Sequence, residues 1–179
     1  MTDKTTTTWT IDPNHSEVQF KVKHLAVSNV NGTFKTFQGN VTTENEDFDQ
    51  AKIQLTIDAN SIDTNHEQRD SHLKAPEFFD TQKFPEILFD GLLYRKNDGY
   101  ELEGNLTIRD IVKHITLAVE FTGAGKGRMG DTRAGFEING KINRKDFGIV
   151  LNILTETGGL VVGEEIKLHS DIELIKQAV

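Results

Sequence analysis

Six histidines (His15, His24, His66, His72, His114 and His169) are the first residues of this 179-residue chain that could do chemistry. A neutral imidazole is a common metal ligand and titrates near neutral pH. Their spacing does not build a local metal centre. His66-Glu67 is followed by a histidine at 72 and not at 70, so the i, i+4 pair that brings two ligands to one helical face in H-E-x-x-H is missing. A site gathered from distant segments, with His15, His24 and His72 as metal or acid-base groups, is the catalytic alternative. The competing expectation is no catalytic residue, no metal and no cofactor, the histidines being ordinary polar groups.

Other motifs fail on context. Gly125, Gly127 and Gly130 fit G-x-G-x-x-G, but a strand pattern follows them where a dinucleotide site needs a helix. Asp146-Phe147-Gly148 spells the kinase magnesium triplet without an H-R-D loop or a Gly-rich ATP loop. Ser16, Ser28, Ser61, Ser71 and Ser170 lack a G-x-S-x-G elbow, and the absence of cysteine removes thiol nucleophiles and disulfides. On the one helical segment, His66, Arg69, Asp70 and Leu73 share a face. Asp70 and His72 lie about 200° apart there, too far round for a catalytic pair. Two readings of Arg69 stand: a salt bridge to Asp70, or a role with His72 at a ligand head group.

The elements that must position these residues are strands. Val18, Phe20 and Val22 alternate with Glu17, Gln19, Lys21 and Lys23, the period of a strand with one apolar face. The pattern returns at Ile53 to Ala59, Leu102 to Ile108, Ile115 to Phe121, Ala134 to Ile142 and Ile166 to Leu174, with weaker runs at Trp9 to Asp12, Phe34 to Thr43 and Ile87 to Tyr94. These runs predict about eight or nine strands. Gaps too short for crossover helices, such as Lys96-Asn97-Asp98-Gly99, require antiparallel pairing. Closure into a barrel removes exposed edges, and Gly39, Gly104 and Gly140 within strands suit its bends. The segment Thr64 to Ala75 breaks the alternation and is predicted helical, with Thr64 and Glu67 as a capping box and Pro76 as a stop. Phe78, Phe79 and Phe84 follow it, so it is expected to pack over one end of the barrel as a lid.

Composition bounds the function. With 28 acidic and 20 basic side chains the net charge is −8, which argues against nucleic acid as a partner. The polar, Thr-rich start and the lack of any transmembrane-length run predict a cytoplasmic protein without stable membrane insertion. One domain is expected over 1–179, with an ordered core at about 8–176. Monomer and homodimer are both open.

Read in order, the chain carries Trp9-Thr-Ile-Asp12, Asn14-His15-Ser16, Val18-Gln-Phe20-Lys-Val22-Lys-His24-Leu25, Val30-Asn-Gly32-Thr-Phe34, Arg69-Asp70-Ser-His72-Leu73, Phe78-Phe79-Asp80, Phe84-Pro85, Gly104-Asn-Leu106-Thr107-Ile108 and Asn143-Arg144-Lys-Asp146-Phe147-Gly148. This pattern resembles the YceI-like family of polyisoprenoid-binding, lipocalin-like proteins, and the likeness spans Thr8 to Ile175. It implies an all-β fold with one short helical insertion: an antiparallel eight-stranded lipocalin-like barrel holding an isoprenoid or fatty amphiphile. Phe20, Phe34, Phe37, Phe78, Phe79, Phe89, Leu106, Phe136 and Phe147 are expected on the pocket wall, ordinary core being the rival reading for each. His15, His24, Arg69, His72 and Arg144 match the family's motif positions and are expected near the ligand's head group. The chain departs from the family at Asp110, where glycine is common, and in lacking the secretion signal usual in Gram-negative members.

Overall fold

The computed structural model describes residues 5–44, 47–152 and 161–178. Its strands are β1 (Thr7–Ile11), β2 (Glu17–His24), β3 (Ser28–Phe34), β4 (Phe37–Thr43), β5 (Lys52–Asp58), β6 (Ile62–Asp63), β7 (Glu86–Lys96), β8 (Gly99–Ile108), β9 (Ile111–Lys126), β10 (Thr132–Asn143) and β11 (Val162–Lys176). One helix, α1 (Glu67–Leu73), lies between β6 and β7.

These eleven segments make eight barrel strands, because three of the strands are interrupted. β1 pairs with β4 while β2 pairs with β3, and β3 and β4 pair in turn with β6 and β5. β1 and β2 are thus two halves of one strand, as are β3 with β4 and β5 with β6. The breaks fall at the 3₁₀ turn Pro13–His15, at Lys35 and Thr36, and at the 3₁₀ turn Ala59–Ser61. A proline and side-chain caps explain the turns: Asp12 accepts from the Asn14 amide and Asp58 from that of Asn60. From β5 the meander continues antiparallel through β7, β8, β9, β10 and β11. β11 then pairs with both β1 and β2, which closes the sheet; the contact of β3 with β6 is two residue pairs long, Thr33 with Asp63 and Phe34 with Ile62, and among the described residues β6 has no other strand partner.

The registers define two ends. At the base lie the short hairpins β7–β8 and β9–β10 and the loop from β4 to β5. At the opposite, upper end lie the β2–β3 turn, the connection carrying α1 and the segment after β10. The β8–β9 hairpin there turns on Arg109 and Asp110 alone, with Arg109 at φ 58°.

The helix is shorter than its sequence signal. It begins at Glu67 with the His66 ring accepting from the Arg69 amide, and Thr64 does not cap it. Thr64 is buried, and its amide and hydroxyl both donate to Asp70. The capping-box reading fails because that hydroxyl is committed to fastening α1 to β6.

Candidate ligand cavity

Alternation sends one face of every strand inward, and the inward side chains of all eight barrel strands border a cavity of about 250 Å³. Of the described residues around it, Gln19, Ser170 and Arg144 alone are polar, and Arg144 alone is charged. The base is filled by an aromatic cluster. Phe48, from the loop after β4, packs its ring 5.1 Å from Trp9 and 4.9 Å edge-on to Phe136, while Phe121 lies 5.4 Å from Phe136. At the upper end the cavity is bordered by Leu73, Phe78 and Phe79 of the α1 connection and by Phe147 and Ile149, which follow β10.

Arg144 is 5% exposed. Its Nε donates to the Gly163 carbonyl at 2.9 Å, Nη1 to that of Ile149 at 2.8 Å, and Nη2 to Asn152 Oδ1 and the Val162 carbonyl at 3.1 and 3.4 Å. Among the described residues no carboxylate bonds it. Burial pulls its guanidinium below the ordinary arginine range, with Glu164 opposing at longer range. The result is a cation held by neutral acceptors at the border of an apolar cavity, the arrangement that stabilises a nearby negative or strongly dipolar group.

Eight of the nine residues expected on the wall border the cavity: Phe20, Phe34, Phe78, Phe79, Phe89, Leu106, Phe136 and Phe147. Phe37 does not. It is buried, but it follows the break at Lys35 and Thr36 and borders an outer groove with Lys35 and Asp63. Of the five expected head-group residues, Arg144 alone reaches the cavity. His15 sits on the turn between β1 and β2 with Nδ1 2.7 Å from Asp12. His24 and Arg69 share a separate polar groove and do not border the cavity, and the exposed His72 packs its ring edge-on to Phe78 at 5.0 Å. Arg69 does not bridge to Asp70 directly. Its Nε donates to Thr64 Oγ1 at 2.8 Å, and that hydroxyl donates to Asp70.

His15, His24 and His72 therefore do not form the distant metal or acid-base site. Carboxylates and a histidine do converge elsewhere, as Asp12, His15 and Glu173 and as Glu137, His169 and Asp171. The first group already holds a cation, since Arg133 Nη1 lies 2.7 Å from Asp12 and 3.6 Å from Glu173. Burial pushes the Asp12 carboxyl up, but the hydrogen bonds from Arg133 and His15 and from the Asn14 amide outweigh it and hold it at about 2. The second group lies across β10 and β11 on outward positions, with His169 bonded to both Asn139 and Asp171.

Sequence reasoning missed Phe48, Gln19 and Arg133. Phe48 stands in a polar, acidic loop with no alternation around it, and a lone Phe there was the available signal. Gln19 reads as outward from strand period, yet it borders the cavity just past the Pro13–His15 break.

The model of the YceI-like domain matches residues 9–174. A UPF0312 protein of Yersinia pestis is 39% identical over 160 residues, covering 89% of this chain and 80% of the relative. Among solved structures, a Campylobacter jejuni YCEI protein is 34% identical with a TM-score of 0.72, covering 88% of this chain and 91% of that one. Burkholderia cenocepacia BcnA (TM-score 0.78, 21% identity, 91% and 98% covered) and a polyisoprenoid-binding domain of Saccharophagus degradans (0.69, 14%, 94% and 98% covered) share the fold. By the extent of the family match and the identity to these relatives, the chain belongs to the YceI-like family.

Proposed function

We propose that this protein binds one isoprenoid or similar amphiphile inside its barrel and stores or transports it without chemistry. The observation that carries this reading is the cavity itself: an apolar lumen touched by every barrel strand, with one buried cation at its border. Removing a prenyl tail from water contributes about 25 cal/mol per Å² of apolar area and needs no directional contacts, so such a lumen suits a tail and Arg144 suits its polar end. The structural neighbour from Saccharophagus degradans, described as a polyisoprenoid-binding domain, supports the same ligand class.

The volume bounds the tail. An apolar cavity of about 150 Å³ takes up benzene. By proportion, the 250 Å³ here seats about ten carbons, two isoprene units, before a side chain must move. A longer tail requires the connection from Thr64 to Pro85 to shift outward, because its Leu73, Phe78 and Phe79 close the upper end. Native mass spectrometry of gently purified protein, followed by solvent extraction, tests the proposal. A bound prenyl lipid or a stoichiometric complex with added geraniol or geranylgeraniol is the expected result; protein that stays empty and refuses both would overturn it.

A further inference from the structure

Inward side chains of an eight-stranded barrel ordinarily fill its interior. Five inward positions here are glycine: Gly32, Gly39, Gly91, Gly104 and Gly140, on β3, β4, β7, β8 and β10. Each has cavity-bordering residues two positions away on its own strand, as Phe34 is to Gly32 and Ile138 and Ile142 are to Gly140. None of the five has a positive φ, so backbone freedom does not explain glycine there. The missing side chain does.

Each gap receives a large neighbour. A Cβ on Gly32 would stand 2.1 Å from Cζ of Phe20, its cross-strand partner. Gly91 and Gly104 face each other across β7 and β8, and Cβ atoms on them would stand 2.9 and 2.8 Å from Cζ of Phe89. On Gly140 a Cβ would meet Leu117 Cδ2 at 2.1 Å, and on Gly39 it would meet Ile11 Cδ1 at 2.7 Å. Phe20, Phe89, Leu117 and Ile11 all border the cavity. They occupy space that side chains at the glycines would fill, and so lie along the wall instead of across the lumen.

We infer that these glycine gaps set the bore of the lumen, and that Gly32 with Phe20 is a specificity-determining pair for ligand girth. The inference rests on the reading that the lumen holds an apolar tail. A Cβ at Gly39, Gly91 or Gly104 would also strike a backbone carbonyl, whereas at Gly32 the three nearest atoms all belong to the Phe20 ring. Filling that gap drives the ring toward the axis, because the opposite direction is the sheet itself. The bore left by wall-laid rings suits a tail thickened by methyl branches, which is the shape of a prenyl chain.

The test uses Gly32→Val, Phe20→Ala and the double variant of the full chain. Geranylgeraniol affinity reads the ligand, and xenon uptake in pressurised crystals or by xenon NMR reads empty apolar volume whatever the natural ligand. Gly32→Val should lose xenon and weaken geranylgeraniol about tenfold or more, and adding Phe20→Ala should restore both to within about threefold of the original protein. Gly32→Val binding both probes unchanged, or a folded double variant that restores neither, overturns the inference. Should Gly32→Val fail to fold, Phe20→Ala alone must raise xenon uptake, and unchanged uptake overturns the inference as well. Original protein that takes xenon but no prenyl alcohol would sink the isoprenoid reading and leave the bore to be decided by xenon.

Discussion

Asp12 and Arg133 lie 121 positions apart in the chain, and their side chains meet at 2.7 Å where β1 breaks into β2. The same Asp12 carboxylate accepts from the Asn14 amide and bonds His15, while Arg133 also bonds Asp131 at 2.9 Å. A buried carboxylate thus fixes the turn that bends the first barrel strand and ties it to the start of β10 beside the aromatic base. The pair stabilises the fold only while Asp12 is charged: without Arg133 the buried carboxylate keeps only the Asn14 amide and His15, whereas the partly exposed Arg133 still has Asp131 and Glu173.

The first prediction is an acid-sensitive fold. The Asp12 carboxyl sits at about 2 in the folded chain against 3.8 ordinarily. A depressed carboxyl contributes its full stability above the unfolded value, and that contribution is lost as pH falls through the folded one. The window is therefore pH 4 down to pH 2, and the loss is on the order of 1 to 2 kcal/mol. Urea midpoints at pH 7, 4, 3 and 2 check this. Asp12→Asn should be less stable at pH 7 and show a flatter acid limb; equal acid limbs in the two proteins would remove Asp12 as the cause.

Arg144 is the subject of the second prediction. Arg144→Met keeps most of the bulk but strips the donors from the carbonyls of Gly163, Ile149 and Val162. Buried acceptors left without donors cost about 1 to 3 kcal/mol each where nothing rearranges, so a total near 3 kcal/mol and a fall in Tm of about 6 to 12 °C are expected. Arg144→Lys should recover little, because an ammonium cannot reproduce the planar fork that reaches three backbone groups at once. Calorimetry of both variants decides it, and a lysine variant as stable as the original would mean that charge alone matters there.

What the sequence disclosed follows from the physics of one-sided strands. A barrel strand has one apolar face, so period two exposed β2, β5, β8, β9, β10 and β11 directly and β7 more weakly. It could not expose β6, two residues long, nor the break at Lys35 and Thr36 that splits β3 from β4; Phe37, just past that break, pairs with the cavity-bordering Ile57 without itself bordering the cavity. The aromatic wall was legible as composition, but whether Phe20 fills the lumen or lies beside it depends on Gly32 standing opposite, which is a matter of cross-strand register. The head-group set shows the sharper limit. His15, His24, Arg69, His72 and Arg144 sit in recognisable motifs, yet motif membership carries no direction, and the fold turns only Arg144 toward the cavity.

A third prediction concerns the seat of the α1 connection. Thr64 is buried; its hydroxyl donates to Asp70 and accepts from Arg69 Nε, and its carbonyl accepts from Arg69 Nη2 at 2.6 Å. Thr64→Val preserves the shape and removes the hydroxyl, leaving the Arg69 and Asp70 charges without the group between them. A loss of about 1 to 3 kcal/mol is expected. Hydrogen exchange should localise the loosening to 64–85 and spare the base of the barrel. Uniform loosening would mean that the connection unfolds only with the whole barrel and does not act as a separately opening lid.

The fourth prediction follows from where the tail must end. With Arg144 at the upper end of the lumen and Phe48 at its base, a ligand whose polar end sits at Arg144 points its tail toward the Phe48 ring. Phe48→Ala removes seven carbons' worth of ring and Cβ substituents less the methyl that remains, roughly the bulk of one isoprene unit. The fold should lose about 3 to 5 kcal/mol, since the ring packs against both Trp9 and Phe136. If the vacated space joins the lumen, the best-bound prenyl alcohol should lengthen by about one isoprene unit across a series from geraniol to geranylgeraniol. A variant destabilised by that amount but with an unshifted length preference would place the tail's end elsewhere, and would reverse the ligand orientation argued from Arg144.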